Sequence, residues 1–151
     1  MGILDWFRGE KKEEEKKPAM REGMGSMKEM VEALAEMPED KRTAMTEERM
    51  KGFAEMDDEA RKMAMGAMLG AALELPGEKY KDVCTTRLKV VGSLPEETRM
   101  KLMKTHAGIV MELPDDKRMK EMNTVKSCLM EFPEDKRKAM MGMMEKIGMK
   151  M

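Results

Sequence analysis

Three observations predict an all-α fold built from short repeats. The phrase "FPEDKRKAM" at residues 132–140 nearly restates "MPEDKRTAM" at 37–45 and "LPDDKRMKEM" at 113–122. The prolines that open such phrases, Pro38, Pro76, Pro95, Pro114 and Pro133, fall on a single spacing of 19, doubled once between Pro38 and Pro76. Position 57, where the missing member belongs, is Asp57 in "EMDDEARKM". Composition completes the argument: 39% of residues are charged, 3% are aromatic, and 24 are methionine, a strong helix former. Self-similarity at a fixed period is the mark of a repeat architecture. Six such units run without insertion from Pro38 to the end of the chain. A seventh helix precedes them. The predicted domain spans residues 18–151 and follows a separate segment, 1–17.

The first helix is predicted from the stripe Met20, Met24, Met27, Met30, Val31, Leu34 and Met37, whose steps of three and four lie along one helix face. The next helices open at Pro38, at Asp57 and at each later proline. Proline suits the first helical turn, where its missing N–H is not needed, and Asp57 replaces it as an N-cap. Acids follow each opening, as in Glu39-Asp40, Asp115-Asp116 and Glu134-Asp135, and complement the positive end of the helix dipole. Arg42, Arg61, Arg99, Arg118 and Arg137 stand four residues after the opening, with Tyr80 as the exception. The residue before each proline avoids the helical region, so the preceding helix ends there.

In the third unit, "RLKVVGSL" has strand-like content, but its place in the frame predicts helix. The fourth unit carries the stripe Leu102, Met103, His106, Ile109, Val110 and Leu113, and the fifth carries Met119, Met122, Val125, Leu129 and Phe132. Each helix spans about 14–16 residues, roughly 22 Å. The short links predict antiparallel neighbours. Alternate helices resemble one another at a distance of two units: Arg49 matches Arg87, Lys51 matches Lys89, and Gly70 matches Gly108, while Gly66 matches Gly142 at four units. The expected fold is thus an antiparallel repeat of about seven helices, with a period of 19 paired as 38, solenoid-like or bundled. The turn grammar, Glu–apolar–Pro–acid–acid–x–Arg, resembles that of other stacked-helix domains, such as the cytoplasmic superhelical domain of MgtE-type magnesium transporters. The likeness is confined to the turns and implies construction only.

Twenty-nine basic and 30 acidic residues nearly cancel. That balance argues against a nucleic-acid binder, which carries a basic face, and one Trp and one Tyr supply almost no stacking platform. No apolar run reaches the ~20 residues of a membrane span, and the N-terminus lacks a signal-peptide pattern, so a cytoplasmic location is expected. Cys84 and Cys128 fit a reducing compartment and, by spacing, no zinc motif. His106 sits in an apolar stripe, and the paired acids recur in unit after unit, so neither suggests catalysis. No cofactor is implied, and the chain is expected not to be an enzyme.

Two features invite a function. "GILDWF" is an apolar knot with the chain's single Trp, followed by the charged run "RGEKKEEEKK". Ile3, Leu4, Trp6 and Phe7 are the candidate partner-binding residues; the alternatives are a cap on the end of the helical stack and weak contact with a membrane surface. The methionines are expected to fill the core, to line an adaptable surface, or to bind Cu(I), for which soft thioethers are selective. Met63, Met65, Met68, Met140, Met141, Met143 and Met144 are the candidate copper ligands. The expected function is that of a non-catalytic helical-repeat adaptor or assembly subunit for a protein partner, homo-oligomerisation being possible; the alternative is Cu(I) handling.

Overall fold

The computed structural model describes residues 17–148, and the apolar knot at Ile3, Leu4, Trp6 and Phe7 lies outside them. Seven helices fill this span: α1 (Lys17–Glu36), α2 (Glu39–Ala54), α3 (Asp58–Leu73), α4 (Gly77–Ser93), α5 (Glu96–Met111), α6 (Asp115–Met130) and α7 (Glu134–Lys146). From α2 onward each begins one residue after its turn residue, so the repeat frame sets the boundaries. The "RLKVVGSL" stretch is helical because Leu88, Val90 and Val91 are all buried there, and packing overrides the weak β preference of the valines.

The turns are built from recurring contacts. Proline, or Asp57, turns the chain with φ between −54° and −68°. At Asp57 the side chain also accepts the Ala60 N–H at 2.8 Å. The backbone N–H four residues on closes the first helical bond, as from Arg61 to Asp57 O at 2.9 Å and from Arg118 to Pro114 O at 2.9 Å. The outgoing end of the previous helix tightens to an i→i−3 bond, as from Met56 N to Phe53 O at 3.1 Å.

The carbonyl just before the turn then needs a donor, because the chain leaves the helical path there and no following backbone N–H falls in register with it. The arginine provides it. Arg42 Nη1 reaches Met37 O at 2.9 Å, Arg61 Nη2 reaches Met56 O at 2.7 Å, Arg99 Nη1 reaches Leu94 O at 3.1 Å, and Arg118 Nη1 reaches Leu113 O at 3.1 Å. The repeated phrase is therefore one solution to one problem: a guanidinium that caps the previous helix from inside the next.

The same side chains reach further. Arg42 Nε donates to Thr86 Oγ1 at 2.9 Å, joining α2 to α4, and Arg61 Nη1 lies 3.5 Å from Thr105 Oγ1, joining α3 to α5. These bonds show the packing rule. The helices pack antiparallel, and each of α1 to α6 makes its most extensive contacts with a helix two positions away along the chain. The start of α2 meets the end of α4, where Lys89 pairs with Glu39 at 2.9 Å. The resemblance between alternate helices follows directly, since helices two units apart are direct packing partners: α2, α4 and α6 form one series, and α1, α3 and α5 the other. The expected hairpins of consecutive helices are secondary contacts.

Three of the glutamates two residues before the turns pair with lysines of other helices. Glu36 meets Lys79, Glu112 meets Lys62, and Glu131 meets Lys81. These pairs are exposed and contribute little to stability. The core is apolar and continuous, with Val31, Leu34, Phe53, Cys84, Leu102 and Cys128 fully buried. Each large member contributes roughly 1.5–3 kcal/mol. Met119 departs from its predicted stripe: it is exposed, and Glu121 takes the inward place on α6.

Two outcomes are expected. Arg61 is 4% exposed whereas Arg118 is 31% exposed, so truncation strands buried carbonyls only in the first case. Arg61→Ala should cost about 3 kcal/mol in urea melts and Arg118→Ala about 1 kcal/mol; equal losses would show that burial does not set the strength of the clamp. Asp57→Pro exchanges a cap hydrogen bond for a proline whose φ the site already matches at −68°, and should change stability by no more than about 1 kcal/mol.

Candidate functional site

Between α4, α5 and α6 the core turns polar. Glu121, on α6, is 1% exposed and gathers three partners. The Tyr80 hydroxyl donates to its Oε1, Arg87 Nη2 donates to Oε2 at 2.8 Å, and His106 Nε2 lies 2.6 Å from Oε2. Arg87 Nη2 is also 3.3 Å from Cys84 Sγ. Cys84 and Cys128 are buried free thiols; Thr85 Oγ1 donates to Cys128 Sγ at 3.0 Å, and Cys128 Sγ donates to Lys81 O at 3.7 Å. The chain's one tyrosine, one histidine and both cysteines thus share a single buried cluster.

The frame explains how they meet. Tyr80 holds the position that arginine holds elsewhere, and like Arg42 and Arg61 it reaches the next helix but one. Its carbonyl-capping duty passes to Lys120 of α6, whose Nζ donates to Leu73 O at 2.7 Å and to Leu75 O at 3.0 Å and lies 5.2 Å above the Tyr80 ring.

Electrostatics in the cluster follow from burial. Burial pushes the Glu121 carboxyl up to about 8, outweighing the donors that favour its ionised form. Burial, with the Arg87 charge, holds His106 well below the usual imidazole range. The hydrogen bond from Cys128, together with Arg87, lowers the Cys84 thiol to about 6. The same thiol–thiol bond and burial push Cys128 up.

Beside the cluster lies a cavity of about 50 Å³ lined chiefly by Met50, Met65, Met103, Met140, Met144 and His106, with Arg87 at its polar side. Of the predicted copper ligands, Met65, Met140 and Met144 come together here. Met68 is buried in the core, Met143 is partly buried against it, and Met63 and Met141 are exposed. Met50, Met103 and His106 also line it, beside Leu88, Val91, Leu102 and Val125, and closeness in sequence does not single them out. The frame carries a signal for part of it: Arg87, His106, Val125 and Met144 all stand eleven residues after their turn residue, and all four line the cavity. Among the described residues, no group of three or more His, Cys, Asp or Glu side chains is arranged to hold a metal ion.

On the outside, a wide groove of about 530 Å³ runs between α3 and α5, floored by Met63, Gly66, Ile109 and Leu113 and rimmed by Glu59, Lys62 and Glu112. Met63, Met111, Met119 and Met130 are each 62–76% exposed. No helix among the described residues is long and apolar enough to cross a membrane. Comparison with protein families, curated proteins and solved structures gives no match.

The cluster makes a pH dependence. Between about 4.5, the ordinary carboxyl value, and about 8, the native protein keeps a Glu121 proton that the unfolded chain has lost. Stability from this group is therefore full at low pH and fades as pH rises through 8, at roughly 1.4 kcal/mol per unit. His106 acts oppositely: below its ordinary 6.5 the unfolded chain takes up a proton that the native ring does not. Urea melts of wild type and Glu121→Gln at pH 5, 7 and 9 should show the wild-type advantage shrinking by several kcal/mol as pH rises. A flat difference would mean that Glu121 keeps an ordinary pKa.

Proposed function

We propose that this chain is a non-catalytic, cytoplasmic helical-repeat module that binds a protein partner through methionine side chains on its surface. The observation that carries this reading is the set of large apolar side chains held in water, Met63 foremost, beside an open groove between two helices. A flexible thioether adapts to varied apolar surfaces at little cost, and single-residue exposure of this size recurs at Met63, Met111, Met119 and Met130. The groove suits the apolar face of an amphipathic helix, with Lys62 and Glu112 at the rim to meet its polar flank. The N-terminal knot of Ile3, Leu4, Trp6 and Phe7 serves as a second contact. The non-catalytic part of the reading rests on burial, because the ionisable cluster lies within the core rather than in the groove.

The test uses Gly66, where an added Cβ meets nothing within 4 Å. Gly66→Leu fills the groove and should leave the thermal midpoint unchanged or higher, since leucine is the better helix former. Proteins cross-linked from the native source by photo-methionine in the wild-type chain should be lost with Gly66→Leu. Retention of the same proteins by Gly66→Leu and by a chain lacking residues 1–16 would defeat the reading.

A further inference from the structure

We propose that the methionine-lined cavity is a binding site for a single Cu(I) ion, held by His106 Nδ1 and by thioethers drawn from Met50, Met65, Met103, Met140 and Met144. This goes beyond the interaction reading and does not depend on it.

The donors come first. Five methionine side chains from four elements, α2, α3, α5 and α7, line one small space. Thioether sulfur is soft and neutral; it selects Cu(I) and offers little to hard divalent cations. Methionine fills cores elsewhere in this chain, as at Met27 and Met68, so methionine alone marks no site. The second, independent observation is His106. Its Nε2 is engaged by Glu121 at 2.6 Å, and Glu121 is itself fixed by Tyr80 and Arg87. A fixed oxygen partner on the far nitrogen is how metal-ligating histidines are oriented. Nδ1 is then the ring nitrogen left for a ligand, on a side chain that lines the cavity.

Size and charge agree. A cavity of about 50 Å³ exceeds the ~10–15 Å³ needed for one water and is too small for a drug-sized organic ligand of several hundred Å³. Arg87 also lines the space, and its Nη2 is tied to Glu121 Oε2 at 2.8 Å. A monovalent soft cation, whose binding rests on sulfur and nitrogen donors rather than on compensating carboxylates, is the ion that suits this lining. Met140 and Met144 enter from α7, so the site closes only when that helix is packed in place.

The experiment titrates the full-length chain with Cu(I), anaerobically and in ascorbate, against a chromophoric Cu(I) chelator, while following methyl signals of carbon-13-labelled methionine. The expected result is one equivalent withheld from the chelator, with methyl shifts at Met50, Met65, Met103, Met140 and Met144. Met103→Leu with Met144→Leu conserves volume and should weaken binding at least ~10-fold with little change in melting temperature. Met63→Leu with Met141→Leu should leave affinity within about twofold. Three results would overturn the proposal: no equivalent withheld; shifts confined to exposed methionines; or binding that survives the cavity double variant and is lost with Cys84→Ser, which would place the ion on the thiols.

Discussion

The guanidinium that reaches back across four of the six turns is the interaction on which the rest of this structure depends. A helix that stops at proline leaves its last carbonyls without amide donors, and the link is too short to bury them or solvate them all. Arginine four residues into the next helix reaches the carbonyl before the turn at 2.7–3.1 Å. Because the donor and the carbonyl belong to successive helices, the bond fixes the angle between them as well as capping one. Where the same guanidinium touches a threonine of the next helix but one, turn geometry and packing register are set by one side chain.

The exception to this rule marks the polar interior. Tyr80 stands where arginine belongs, and its hydroxyl goes to Glu121 instead of to a carbonyl. Lys120 then supplies the missing cap from α6. The exchange places a carboxyl group in the core with three partners, and around it the histidine, the cysteines and the methionine-lined cavity. Removing one member of such a network leaves the others unpaired in low dielectric, so its members stand or fall together. The frame thus yields its regularity at one place, and the uncommon side chains of the chain collect there.

Much of this is legible in the sequence. The regular spacing of Pro38, Asp57 and the later prolines places the helix boundaries, because proline, acid and arginine each act locally. The strand-like "RLKVVGSL" is helix, as its position in the frame predicts. The packing partner is not legible: short links suggest hairpins, and only three-dimensional closure shows that α2 lies on α4. Glu121 escapes a reading by hydrophobic periodicity, which assigns charged residues to the surface, and the same rule turns Met119 inward. The lysine partners of Glu112 and Glu131 lie two helices back along the chain, beyond any local rule, and that of Glu36 lies three helices further on. Closeness in sequence selects the copper candidates, whereas the cavity gathers residues at equivalent frame positions of different helices. Glycines such as Gly66 reveal the alternation, but not the groove they open.

The central claim is that arginine turns impose packing between each helix and the next but one. Nuclear Overhauser contacts of the arginine side chains test it most directly. The account predicts contacts from Arg42 to Thr86 and from Arg61 to Thr105, with the Arg61 Nε proton, held on Phe53 O at 3.1 Å, exchanging slowly. Contacts confined to consecutive helices, with Arg61 Nε–H exchanging as fast as in free arginine, would contradict it.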